Sequence, residues 1–200
     1  MKIAILGGSF DPLHIGHLFI ATQVKEMFHF DEIWLMPCFQ HPFDKQLTSV
    51  TKRLEMLQTL NIPYIKISQF EIKNKKRSYT IDTLNDLARE NPGSSFTWII
   101  GSDQVTNFQK WKNWKDIITK YELIIYPREI IFSDLDMKVK AAFTLETIPD
   151  NILIVEAEKV FMTNISSTMI RERVQHKKSI SFSVPQSVEK FISKNKLYEK

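Results

Sequence analysis

Two hundred residues, 43% of them hydrophobic, can bury a sizeable core within one domain, which excludes a disordered chain. Twenty-seven Lys and Arg against 23 Asp and Glu leave a formal charge of +4, a mild excess that suits an anionic small ligand or a weak nucleic-acid contact and decides neither. One cysteine, Cys38, excludes a disulfide framework, and neither a signal-peptide pattern nor a long apolar window is present, so the expectation is a soluble cytoplasmic protein.

In chain order, the run 2–7 (KIAILG) predicts a strand. A loop follows and leads into a helix that spaces Leu18, Ala21, Val24, Lys25 and Phe28 helically. A strand at 32–37 precedes a helix carrying Val50, Leu54, Leu57 and Leu60. After a strand at 64–68 comes the basic run 73–77 (KNKKR), read as a solvated loop, and a helix with Leu84, Leu87 and Ala88. Strands at 96–101, 121–127 and 151–157 complete a set of six, with an irregular stretch and a short helix at 127–150. In NISSTMIRERV (164–174), Ser166, Ser167 or Thr168 caps a helix. The tail reads as a closing helix with Pro185 in its first turn.

Most of the strands are continuously apolar rather than alternating, the pattern of strands covered on both faces. Alternating with helices, they predict a Rossmann-like, doubly wound parallel α/β sheet with helices on both faces. Residues 1–200 form one domain in this reading, with a C-terminal helical segment at about 165–200.

The loop between the first strand and first helix, GGSFDPLHIGHL (7–18), lies where a parallel sheet places its ligand. Gly7 and Gly8 let backbone N–H groups approach an anion. Pro12 stiffens the loop, and Asp11 can bond nearby amides in a turn. Ile15 to His17 form the first helical turn, whose free donors and partial positive charge favour phosphate. His14 and His17 stand at i and i+3 on one face, and Gly16 between them lets a bulky ligand sit close. A nearby phosphate would favour protonation of both imidazoles, which could then clamp a phosphoryl group. The hydroxyl-rich helix start at Ser166 to Thr168, with Arg171 nearby, is a second anion site. Two anion sites from opposite ends of the chain suggest a polyphosphate ligand, with ATP the obvious candidate.

GGSFDPLHIGH together with ISSTMIR resembles the nucleotidyltransferases with an HxGH signature, and within them the bacterial nicotinate-nucleotide adenylyltransferases. SYTIDTL (78–84), IIGSDQ (99–104) and FQKWKNWKDI (108–117) are similar to segments of that family. The resemblance implies transfer of AMP from ATP to nicotinate mononucleotide, giving nicotinate adenine dinucleotide and pyrophosphate in NAD biosynthesis. It implies catalytic roles for His14, His17 and Arg171. The ATP site would take Gly7, Gly8, Ser9, Phe10, Gly16, Gly101, Asp103, Ile165, Ser166 and Ser167, with Asp103 near the ribose. Lys45 would serve the mononucleotide phosphate, and Thr80 and Trp111 the nicotinate ring and its carboxylate. Mg²⁺ would ride on the ATP phosphates with no protein metal site. Nucleic acid and membrane are not expected as partners, and self-association is left open.

Two loops depart from the family pattern. HPFDK (41–45) keeps a lysine but not the histidine register, and YPREI (126–130) lacks the family's glycine. Both border the mononucleotide side in the family. The alternatives are therefore a relative preferring nicotinamide mononucleotide or another phosphate acceptor, or a nucleotide-binding regulator without turnover. Trp114 and His41 read as structural, Cys38 as non-catalytic, and Phe39 and Phe43 as a flap over the pocket.

Overall fold

The structure is a computed structural model that describes residues 1–40, 46–75, 77–128 and 135–199. Six strands, β1 (Lys2–Gly8), β2 (Glu32–Pro37), β3 (Ile65–Ile67), β4 (Ser95–Gly101), β5 (Glu122–Tyr126) and β6 (Ile152–Ile154), form one sheet in the order β3-β2-β1-β4-β5-β6. Every pairing is parallel. The helices are α1 (Ile15–Phe28), α2 (Val50–Leu57), α3 (Phe70–Asn74), α4 (Thr80–Glu90), α5 (Trp114–Lys120), α6 (Leu135–Phe143), α7 (Ser167–Gln175) and α8 (Gln186–Lys194).

The continuous apolar runs follow from burial on both faces. In β1, Ala4 and Leu6 join a core that includes Val24 of α1, Leu57 of α2, Ile170 of α7 and Val188 of α8. Their neighbours Ile3 and Ile5 point the other way, into a core with Leu84 of α4, Ile117 of α5 and Val139 of α6. Period-two geometry thus sends alternate residues into two separate cores.

Strand order also places the site. The chain leaves β1 toward β2 and β3, whereas β4 lies on the other side of β1 and continues to β5 and β6. The connections part between β1 and β4, and a crevice opens at the carboxyl ends of those strands. Gly7 and Gly8 end β1, and Gly101 ends β4.

All six expected strands are present, with β3, β5 and β6 shorter than their apolar runs. Three helical details differ from the sequence reading. On α2 the buried face is Arg53, Met56 and Leu57, while Val50 and Leu54 are only half-buried. On α4, Ala88 is exposed, and Ile81 and Thr83 join Leu84 and Leu87 inside. Pro185 is the N-cap of α8 rather than part of its first turn. The short α3, the 3₁₀ turn Val105–Lys110 and α5 had no periodic signal, because five to seven residues span at most two turns. Among the described residues no helix is long and apolar enough to cross a membrane.

Candidate active site

His14 is the N-cap of α1, with extended backbone (φ −141°, ψ 169°), and His17 is the third helical residue. The His14 N–H donates to Nδ1 of His17 at 3.2 Å. Here an imidazole does what Glu or Gln does in a capping box. The bond also fixes a tautomer: with Nδ1 accepting, the proton of neutral His17 lies on Nε2. The two rings lie 3.7 Å apart between centroids, and Phe10 meets His17 edge-on at 5.0 Å. His14 is 2% exposed. Burial, followed by the charge of Arg128, brings its pKa down to about 3. Burial, then His14 and Arg128, pushes His17 well below its ordinary value. The pair is therefore neutral at pH 7 in the unliganded fold, and the protonation expected above is the one a bound phosphate would favour. Each ring offers one N–H donor.

The segment from Ser9 to Leu13 is held from three sides. Arg171 Nη1 donates to the Asp11 carbonyl at 2.7 Å, and Ser167 Oγ donates to the Pro12 carbonyl at 2.8 Å. Arg171 Nη2 reaches Thr168 Oγ1 at 3.2 Å, and Ser166 caps α7 by accepting from the Met169 N–H at 3.2 Å. The two anion motifs are thus in direct contact across 155 to 160 residues. Ile165, just ahead of the cap, donates its N–H to Thr163 Oγ1 at 3.2 Å. Asp11 is buried, but its carboxylate takes the Thr48 N–H at 3.0 Å rather than an amide of its own turn.

Arg53, which the sequence reading passed over, braces the loop from the opposite side. It is 1% exposed and donates to the carbonyls of Ser9 (2.8 Å), Cys38 (2.7 Å), Phe39 (3.4 Å) and Thr48 (3.1 Å). A guanidinium has the planar fork needed to gather several carbonyls at once. Its signal in the sequence was its position three residues before the buried Met56, on the inward face of α2.

Several of the glycines make room for neighbouring side chains. A Cβ on Gly7 would strike the indole of Trp98 in the core. A Cβ on Gly16 would meet His14 Nδ1 and Thr163 Cγ2, each at 3.0 Å, so its missing side chain seats α1 against the segment before α7. A Cβ on Gly101 would strike Asp103 and Arg128. Gly8 has ordinary clearance, 3.4 Å to the Phe10 ring. Phe10 itself takes a left-handed φ of 48°.

Arg128 is the second residue that the sequence reading did not assign. It follows β5, and its N–H donates to Ser102 Oγ at 3.0 Å. Its guanidinium stands 3.7 Å from Asp103 and close enough to both histidines to lower their proton affinity. Beside the pair a shallow pocket is lined by Gly16, Tyr126, Pro127, Arg128, Phe161 and Thr163. Gln23 on α1 grips the Phe161 backbone on both sides, donating to its carbonyl at 3.1 Å and accepting its N–H at 2.6 Å.

Thr80 is the first residue of α4, and Trp111 follows the 3₁₀ turn after β4. Lys112 joins their segments, pairing with Asp82 at 2.8 Å and standing 5.1 Å over the Tyr79 ring. Trp111 stacks on Phe108 at 4.7 Å, and Trp114 packs toward Phe143. Lys45, His41 and Phe43 lie outside the described residues. Cys38 is buried, and burial raises its thiol pKa.

Three buried side-chain polar atoms among the described residues have no hydrogen-bond partner: His14 Nδ1, Asp103 Oδ1 and Trp111 Nε1. Such atoms are uncommon in a folded chain. A neutral donor pair, a hydroxyl-rich helix start and two guanidinium groups at one crevice can bind a polyphosphate and stabilise charge developing on it.

Known proteins resemble this chain over nearly its whole length. The profile of the family described as cytidylyltransferase-like matches residues 5–173. A protein of Methylacidiphilum infernorum named "probable nicotinate-nucleotide adenylyltransferase" is 34% identical over 98% of this chain and 92% of its own length. A protein of the same name from Cytophaga hutchinsonii is 34% identical over 99% and 98%. The structure of Plasmodium falciparum nicotinic acid mononucleotide adenylyltransferase complexed with NaAD superposes with a TM-score of 0.78 at 21% identity, covering 98% of this chain and 97% of that one. With the family profile spanning most of the chain and both relatives above 30% identity over nearly its whole length, the chain belongs to the cytidylyltransferase-like family, among its nicotinate-nucleotide adenylyltransferases.

Proposed function

We propose that this protein transfers the adenylyl group of ATP to the phosphate of nicotinate mononucleotide, releasing pyrophosphate. The observation that carries the reading is the clasp itself: Ser167 and Arg171 of α7 bond directly to the loop that ends in His14 and His17. Adenylyl transfer needs its reacting phosphoryl and its leaving pyrophosphate held in one fixed relation, and the clasp provides that. The full-length relatives carry the same activity in their names.

In the reaction an oxygen of the mononucleotide phosphate attacks the α-phosphorus of ATP. The bond from that phosphorus to the α–β bridging oxygen breaks, and its electron pair leaves with pyrophosphate. The attacking phosphate is already ionised at neutral pH, so no general base is required. The work is alignment and charge stabilisation. His17 donates from Nε2 to the α-phosphoryl as negative charge gathers there, with Nδ1 engaged by the His14 backbone. His14 presents a second imidazole on the same face. The α7 start at Ser166 and Ser167, with Arg171, holds the departing phosphates. The pocket beside Gly16 takes the adenine, and Asp103 lies toward the ribose. Thr80 and Trp111 line the pyridine side, and Lys45 meets the mononucleotide phosphate.

Mg²⁺ would be held by the ATP phosphates and water. Bound there, it offsets phosphate charge. The buried free thiol of Cys38 suits a reducing compartment, and we place the reaction in the cytoplasm.

The test is pyrophosphate release from ATP with nicotinate mononucleotide, nicotinamide mononucleotide and phosphopantetheine in parallel. Turnover highest with nicotinate mononucleotide is expected. A large preference for the amide or for phosphopantetheine overturns the acceptor assignment. ATP binding without release for any acceptor makes the protein a regulator.

A further inference from the structure

The two carboxylate oxygens of Asp11 are held from distant parts of the chain. Oδ2 accepts the Thr48 N–H at 3.0 Å, and Oδ1 accepts the Tyr198 hydroxyl at 2.7 Å. The carbonyl of the same residue receives Arg171. Asp11 is therefore a junction between the histidine loop, the approach to α2, the start of α7 and the segment following α8.

That segment is shaped to reach it. The Lys196 N–H bonds the Ser193 carbonyl at 3.2 Å, and the Leu197 N–H bonds the Ile192 carbonyl at 3.1 Å. This is a Schellman turn, in which the left-handed position usually belongs to glycine. Here Lys196 occupies it at φ 49°, and Tyr198 is left-handed again at φ 64°. Two such residues within three are retained only where their surroundings hold them. Leu197 and Tyr198 pack against the core that carries α1 and α2, and Lys52 of α2 donates to Asn195 Oδ1 at 2.9 Å. Burial beside a carboxylate pushes the Tyr198 phenol far above its ordinary range, so the hydroxyl stays a donor at any working pH.

We infer that Tyr198 is a positioning residue for adenylyl transfer: its hydrogen bond to Asp11 sets the path of residues 9–13 and hence the placement of His14 and His17 on the reacting phosphoryl. This inference rests on the function proposed above. A misplaced loop still binds ATP through its other contacts but aligns the phosphoryl poorly, so the loss falls on kcat.

Tyr198→Phe keeps the ring and removes only the hydroxyl. Its kcat should fall about tenfold, with KM for ATP within about twofold of wild type. In an Asp11→Ala background, where the hydroxyl has no carboxylate to hold, Tyr198→Phe should cost nothing further. Hydrogen exchange at the Thr48 amide, read without substrate, should be faster in Tyr198→Phe. An unchanged kcat, a loss confined to KM, or additive losses with Asp11→Ala overturns the positioning role. Unchanged exchange at Thr48 overturns it even if the wild-type protein forms no dinucleotide, an outcome that by itself would count only against the proposed function.

Discussion

Replacing His14 with Asn should make the protein more resistant to acid, although the residue belongs to the site. His14 is 2% exposed, and its pKa falls from the ordinary 6.5 to about 3. Above pH 6.5 the imidazole is neutral in both folded and unfolded chains and adds no pH dependence. Below that value the unfolded chain takes up a proton that the folded chain refuses until about pH 3. Stability is thus lost as pH falls, at roughly 1.4 kcal/mol per pH unit for each such histidine, or about 2 kcal/mol by about pH 5. His17 contributes in the same direction and remains in the variant. Urea denaturation of both proteins at about pH 7.5 and about pH 5 reads the term: every other titrating group is shared, and His17, whose proton affinity His14 also lowers, moves the difference the same way. The stability difference should move by about 2 kcal/mol in the variant's favour. A difference that stays constant with pH would refute a neutral, buried His14.

Gly7→Ala should destabilise the fold by about 1–3 kcal/mol, seen as a lower Tm, because the new methyl meets Trp98. Lower ATP affinity at unchanged Tm would instead favour the phosphate-approach role. Arg53→Lys should cost about 3 kcal/mol in denaturant unfolding, since one ammonium cannot serve the carbonyls of Ser9, Cys38, Phe39 and Thr48 together. An unchanged midpoint would contradict the bracing role. Arg128→Ala should move the histidine titration, followed by NMR, toward the ordinary range, because a nearby positive charge opposes imidazolium formation. An unmoved titration would place Arg128 away from the pair.

The fold was legible because the strands buried in the sheet leave apolar runs that are mostly unbroken and the helices between them are mostly amphipathic. The histidine loop and the α7 start were legible as short strings whose residue types suit anions. Their contact was not, since nothing local in Arg171 or Ser167 says that the partners are the carbonyls of Asp11 and Pro12. Arg53 was obscured because a cation on an amphipathic helix ordinarily faces water, and only the carbonyls of three separate segments make its burial tolerable. The tautomer of His17 depends on a 3.2 Å bond to the His14 backbone, and both pKa shifts depend on burial, so neither is written in residue identity. The glycines carry a second role that spacing does not show: Gly7 and Gly16 make room for the protein's own side chains.

The most direct test of the account is the kinetics of His17→Asn. Asparagine retains an acceptor near the position of Nδ1, so the His14 N–H keeps its cap, while the Nε2 donor is lost. With ATP and nicotinate mononucleotide, kcat should fall about 10²- to 10³-fold, as expected for loss of one transition-state donor. ATP affinity and Tm should stay close to wild type. Turnover within about threefold of wild type would contradict the assignment of the histidine pair to the reacting phosphoryl.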